Sequence, residues 1–173
     1  MPNQPDALTE LVSRLVGAPV SLVFGLVLLV HIPAGLTCVV TGAVALLSRK
    51  LRGRHPAFGE IYFWALTVVF LTATALAVMR WAESAYLIVL GAIALAFASV
   101  GYCARKRRWP GWLTAHMVGM SLSYIVLLTA FYVDNGRNLP LWNKLPTVAY
   151  WLLPTIVGLP LILRALRRYA SVP

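Results

Sequence analysis

Residues 85–108 read Ala-Tyr-Leu-Ile-Val-Leu-Gly-Ala-Ile-Ala-Leu-Ala-Phe-Ala-Ser-Val-Gly-Tyr-Cys-Ala-Arg-Lys-Arg-Arg. No charge occurs from 85 to 103, and four consecutive cations then close the run. About 20 apolar residues at about 1.5 Å each cross a hydrocarbon core of about 30 Å. A barrel strand would be about half as long and would alternate in polarity. The segment therefore predicts a transmembrane helix ending at a membrane face. Working outward, the same unit recurs at 21–47, 59–79, 111–133 and 147–163, separated by short polar loops.

The cations fall on alternate loops. Arg49, Lys50, Arg52 and Arg54 follow the first stretch, Arg105, Lys106, Arg107 and Arg108 the third, and Arg164, Arg167 and Arg168 the fifth, eleven of the fifteen Lys and Arg. The other side carries Arg14, Arg80, Arg137 and Lys144, offset by Asp6, Glu10, Glu83 and Asp134. Cytoplasmic loops of membrane proteins hold the excess of Lys and Arg, so the pattern predicts an all-α, five-span bundle with its N-terminus outside and its C-terminus in the cytoplasm.

Composition agrees. A chain of 173 residues, 60% hydrophobic and 12% charged, is too apolar for an ordinary soluble domain and too short for two membrane domains. One transmembrane helical domain is expected over 20–168, followed by a tail at 169–173. In residues 1–19, Leu8, Leu11, Val12, Leu15 and Val16 recur at helical spacing, which predicts an amphipathic segment on the outer surface. Asp6 and Glu10 ahead of the apolar run, with no basic leader, argue against a cleavable signal peptide. The net charge of +10 sits at membrane borders, so nucleic acid is excluded as a partner and the lipid bilayer is expected. Cys38 and Cys103 fall at different depths and read as packing residues rather than a disulfide.

Within the spans, Pro33 predicts a kink in the first helix, and Gly35, Cys38, Gly42 and Ala45 form a stripe of small residues suited to close helix approach. Pro154, Gly158 and Pro160 predict a kinked or broken fifth helix. The third span reads as structural, and the fourth is the most polar.

Ionisable groups inside a membrane are costly and are candidates for function. Counted along the helices at about 1.5 Å per residue, His55 lies at the inner surface, Glu60 about one turn above it and His116 roughly 8 Å above it, while His31 lies in the outer third. His55, Gly59 and Tyr62 share one helix face, as do His116, Met120, Ser123 and Tyr124. Two imidazoles facing each other across a bundle can hold a b-type haem or a metal ion. His55, His116 and Tyr124 are therefore the candidate cofactor contacts, His55, His116 and Glu60 the candidate metal ligands, and His31 a separate candidate. Three histidines cannot supply two bis-histidine haems. No residue stands out as catalytic.

The segments His-Ile-Pro-Ala-Gly at 31–35, His-Pro-Ala-Phe-Gly-Glu-Ile-Tyr-Phe at 55–63 and His-Met-Val-Gly-Met-Ser-Leu-Ser-Tyr at 116–124 resemble the predicted-membrane-protein family called domain of unknown function 2306. Pro56 and Ala57 depart from the usual second motif of that family. The resemblance implies a bacterial inner-membrane bundle with histidines on its first, second and fourth helices, and it carries over no activity.

Three functions are compatible with these residues. One is a haem or transition-metal protein with a histidine-lined, cytoplasm-facing site for electron transfer. A second is a small transporter or a non-catalytic integral subunit of a larger membrane complex. The third is a metal-dependent membrane hydrolase using His55, His116 and Glu60 or His31, in which Glu60 is the base. The topology has a direct check: reporter fusions at 52, 107 and 170 should report cytoplasm and those at 82 and 138 periplasm, whereas a periplasmic signal at 170 would mean a miscounted helix.

Overall fold

The computed structural model describes residues 20–48 and 53–169. The amphipathic segment expected at 1–19, the cations Arg49, Lys50 and Arg52, and residues 170–173 of the tail lie outside the described residues. The described chain forms five long helices: α1 (Val20–Leu47), α2 (Arg54–Met79), α3 (Trp81–Arg107), α4 (Trp112–Asn135) and α5 (Thr147–Tyr169). Each contains a stretch long and apolar enough to cross a membrane.

The chain reversals follow from local chemistry. Gly53 precedes α2 at φ 123°, a conformation that glycine adopts without a Cβ clash. Pro56 occupies the first turn of α2, where its missing N–H costs nothing. Between α3 and α4, Arg108 at φ 50° and Gly111 at φ 77° bracket Trp109-Pro110, so α4 starts at Trp112 rather than at the proline. Two short 3-10 turns, Gly136–Asn138 and Trp142–Lys144, lead into α5. The Tyr150 hydroxyl donates to the Trp142 carbonyl at 3.0 Å and ties α5 to the second of them. Helical structure continues through Pro33, Pro154 and Pro160, so α5 is not broken.

Successive helices pack antiparallel, α1 on α2, α2 on α3, α3 on α4 and α4 on α5, and a lighter contact between α1 and α4 closes the first four into a bundle. The core holds Cys38, Tyr62, Leu66, Val69, Ala94, Ala98 and Leu127. Cys38 is fully buried and Cys103 is exposed, and both are free thiols. The outward faces of the helices are leucine, isoleucine and valine, as contact with lipid requires.

The tightest helix contact is between backbones. A Cβ on Gly119 of α4 would sit 2.7 Å from the Phe97 carbonyl oxygen and 2.8 Å from the Gly101 nitrogen on α3. On α1 the small-residue stripe makes contact only in part: a Cβ on Gly42 would run into the Tyr124 ring, whereas Gly35 faces open space. The expected role of Gly35 in packing is thus corrected, because helix contact along the stripe begins at Cys38, one turn further on.

In the centre, the Tyr62 hydroxyl of α2 and Ser123 of α4 hydrogen-bond at 2.6 Å, both almost fully buried. The buried Thr41 and Thr129 bond back to their own helices. No buried side-chain polar atom among the described residues lacks a partner.

Two outcomes follow for stability in detergent. Gly119→Ala should destabilise by about 1–3 kcal/mol or more, since the obstructing atoms are backbone, while Gly35→Ala should leave the melting temperature unchanged. Tyr62→Phe and Ser123→Ala should each cost about 1–3 kcal/mol by leaving a buried partner unsatisfied, and the double variant should cost less than their sum. Additive losses would mean that the two hydroxyls act independently.

Candidate functional site

His55 lies in the first turn of α2 and reaches back to the end of α1, where its Nδ1 lies 2.8 Å from the Ala45 carbonyl oxygen. A carbonyl only accepts, so Nδ1 carries the proton and Nε2 is the basic nitrogen of the neutral ring. His116, in the second turn of α4, repeats this arrangement by donating from Nδ1 to the Gly101 carbonyl of α3 at 2.9 Å. Each imidazole is thus aimed by a backbone carbonyl of the preceding helix. The ring centres are 6.1 Å apart with planes at 86°.

Both rings line one cavity of about 40 Å³ near the end of the bundle where α1 and α3 finish. Tyr62, Tyr102 and Tyr124 form much of its wall, with Gly42, Ala45, Leu46 and Gly59 leaving space between them and Met120 supplying a thioether side chain. Tyr124 is held there by donating its hydroxyl to the Val39 carbonyl of α1 at 2.9 Å. The Tyr62 and Tyr124 rings meet edge-on with centres 6.0 Å apart. Arg105 also lines the cavity, its guanidinium directed to the Pro56 carbonyl at 3.5 Å. The volume suits an ion with one or two waters, since one water needs roughly 10–15 Å³ of such space. A porphyrin would require α2 and α4 to part.

Of the residues singled out in the sequence, the structure brings His55, His116 and Tyr124 together and leaves Glu60 out of the cavity wall. Five residues separate Glu60 from His55, a rotation of about 140° around the helix beyond a full turn, so the two cannot share a face. The Glu60 carboxylate instead accepts the Tyr102 hydroxyl at 2.7 Å and lies 3.5 Å from the Lys106 ammonium. Tyr102 stacks on Phe63 at 4.2 Å, and Lys106 sits 5.2 Å over the Tyr102 ring. With Glu60 and Lys106 substantially exposed, their ion pair adds little stability, so its main effect is to position Tyr102.

His31 lies elsewhere. Its Nδ1 is 2.9 Å from the Thr72 hydroxyl of α2. Thr72 already donates to the Val68 and Val69 carbonyls, so the imidazole is the donor. Thr72 is roughly 26 Å along α2 from His55 by helical rise. The partner of His31 is thus a neighbouring helix rather than backbone released by Pro33.

Sequence reasoning missed the contribution of α3, which it had read as purely structural. Tyr102, Arg105 and the Gly101 carbonyl all come from its last two turns. A signal was present: Tyr102 and Arg105, the first of the run of cations, are three residues apart and share a helix face.

Among the described residues no three His, Cys, Asp or Glu side chains converge as metal ligands. The donors gathered at the cavity are two imidazoles and a thioether, with a guanidinium beside them and no carboxylate. Such a set favours a soft or macrocycle-held ion over a hard dication, which would need negative ligands. No curated protein and no solved structure matches the chain. A family model described as predicted membrane protein (DUF2306) matches residues 28–164, which takes in all three histidine segments, nearly all of the five helices and the whole cavity, and the chain is a member of that integral membrane family.

Proposed function

We propose that the chain binds a metal ion between His55 and His116, at the cytoplasmic end of a bundle in a bacterial inner membrane, and serves electron transfer. The observation that carries this reading is the pair of imidazoles, each with Nδ1 fixed by a backbone carbonyl and their ring centres 6.1 Å apart. Metal-binding histidines characteristically donate the other ring N–H to such a carbonyl, which orients the ring and makes the ligating nitrogen more basic. Metal–imidazole bonds are about 2.0 Å long, so rings 6.1 Å apart are close enough to share one ion.

The apolar, tyrosine-rich wall favours redox chemistry over hydrolysis, which requires an activated water and a base beside it. Glu60, the base that a hydrolase would use, is engaged with Tyr102 and Lys106. The cytoplasmic placement rests on the eleven cations assigned to this end by the sequence.

Elemental analysis and an absorption spectrum of the purified protein test the proposal. Stoichiometric copper or iron supports it, zinc, which has no redox chemistry, would keep the site and overturn electron transfer, and a Soret band would mean that α2 and α4 part to admit a porphyrin. His55→Ala and His116→Ala should each remove most of the bound metal, and the double change should add little, because the ligands act as a unit. His31→Ala should retain it. Wild-type protein carrying neither haem nor metal would overturn the proposal, and metal lost only on removal of His31 would move the site to the other end of the bundle.

A further inference from the structure

The cavity of the histidine pair has a third donor. His116 and Met120 lie one turn apart on α4 and both line it, with the His55 ring of α2 centred 6.1 Å from that of His116. Side chains four residues apart on a helix can close on one ion, as paired histidines do in helical metal sites. Gly101 gives Met120 its place. A Cβ there would come 2.9 Å from the Met120 Cγ and 3.2 Å from the His116 carbonyl oxygen. The contact of α3 with α4 that aims His116 thus also seats the thioether chain beside it.

The identity of the ion follows from charge and softness. Imidazole and thioether are neutral ligands, and among the described residues no carboxylate or thiol lines the cavity. Tyr102 and Tyr124 donate their hydroxyl protons to Glu60 and to the Val39 carbonyl, so they stand in the wall as neutral phenols, and Tyr62 is bonded to Ser123. The Arg105 guanidinium in the same wall raises the cost of each further positive charge placed there. A dication would keep its whole charge in largely apolar surroundings, which low dielectric penalises steeply. A cavity of about 40 Å³ also has no space for the several waters that a harder ion keeps. Zinc adds a preference for four ligands, whereas thioethers select copper(I), a soft ion with a single charge.

Resting on the metal-binding reading above, we propose that the ion is copper(I) and that Met120 is its third ligand, beside His55 and His116. A neutral ligand set with a thioether favours the reduced ion over copper(II), which raises the potential of the couple. The site then accepts electrons from comparatively weak donors.

The test uses the full-length protein purified in detergent and stripped of metal. It is titrated without oxygen with copper(I) buffered by bicinchoninate, and separately with copper(II) and zinc(II). Wild type should bind a single copper(I) at least roughly tenfold more tightly than either dication. Its copper X-ray absorption spectrum should contain a sulfur scatterer. Met120→Leu conserves volume and so the fold. It should lose the sulfur signal together with at least the roughly tenfold of affinity that removing even an outer-shell partner costs. Met117→Leu, outside the cavity wall, should keep both. Unchanged affinity in Met120→Leu, or binding of zinc(II) or copper(II) as tight as that of copper(I), would overturn this proposal while leaving a two-histidine metal site standing. A copper(I)-loaded wild type without sulfur scattering would do the same, and this measurement decides the matter even where Met120→Leu fails to fold. Binding of none of the three ions by wild type would overturn the reading on which the proposal rests as well.

Discussion

The backbone contact between Gly101 on α3 and Gly119 on α4 is the constraint on which the rest of the cavity depends. With no side chains between them, the two helices approach until backbone meets backbone. Only at that distance can His116, one turn from Gly119, deliver its Nδ1 proton to the Gly101 carbonyl. The same approach brings Tyr102 and Arg105 to the cavity wall. Lipid offers no hydrophobic drive between helices, so close packing and side-chain hydrogen bonds must supply the association. Here the packing and the aiming of a histidine come from one contact.

The polar bonds of the bundle follow a common pattern. His55, His116 and Tyr124 each donate to a carbonyl on a neighbouring helix, at Ala45, Gly101 and Val39 respectively. A helix carbonyl has a second lone pair, so it accepts such a donor while remaining in its own helix. A membrane bundle can thus be joined by polar bonds without burying an unsatisfied group.

The spans, their number and their antiparallel order were legible in the sequence, because an apolar run of bilayer length leaves the backbone only one way to satisfy itself. Helical spacing and depth also sufficed to put His55, His116 and Tyr124 near one another, since both histidine helices start at the same face. What depth counting could not resolve was rotation about the axis. Glu60 was at the right height and on the wrong side of α2, and Gly35 belonged by spacing to a stripe whose contact begins only at Cys38. The part played by α3 was hidden for another reason: its main contribution is the carbonyl of Gly101, and a backbone acceptor leaves no mark in residue type.

The grip on α1 is uneven along its length. From Cys38 onward it has buried positions at Cys38, Thr41, Gly42 and Ala45 and receives the bonds of Tyr124 and His55. Before Cys38 no described residue of α1 is buried, and Leu22, Leu26, Leu29, Ile32 and Leu36 are all more than half exposed. Mechanically, α1 is clamped along its second half, while its first half is pinned only at points, by the His31–Thr72 bond to α2 and by Arg80 over the Phe24 ring. With no buried residue of its own, that half belongs to the low-stability end of the fold. Any load on that half therefore meets the cavity at Tyr124 and His55, the two side chains that anchor the other half of α1 to it.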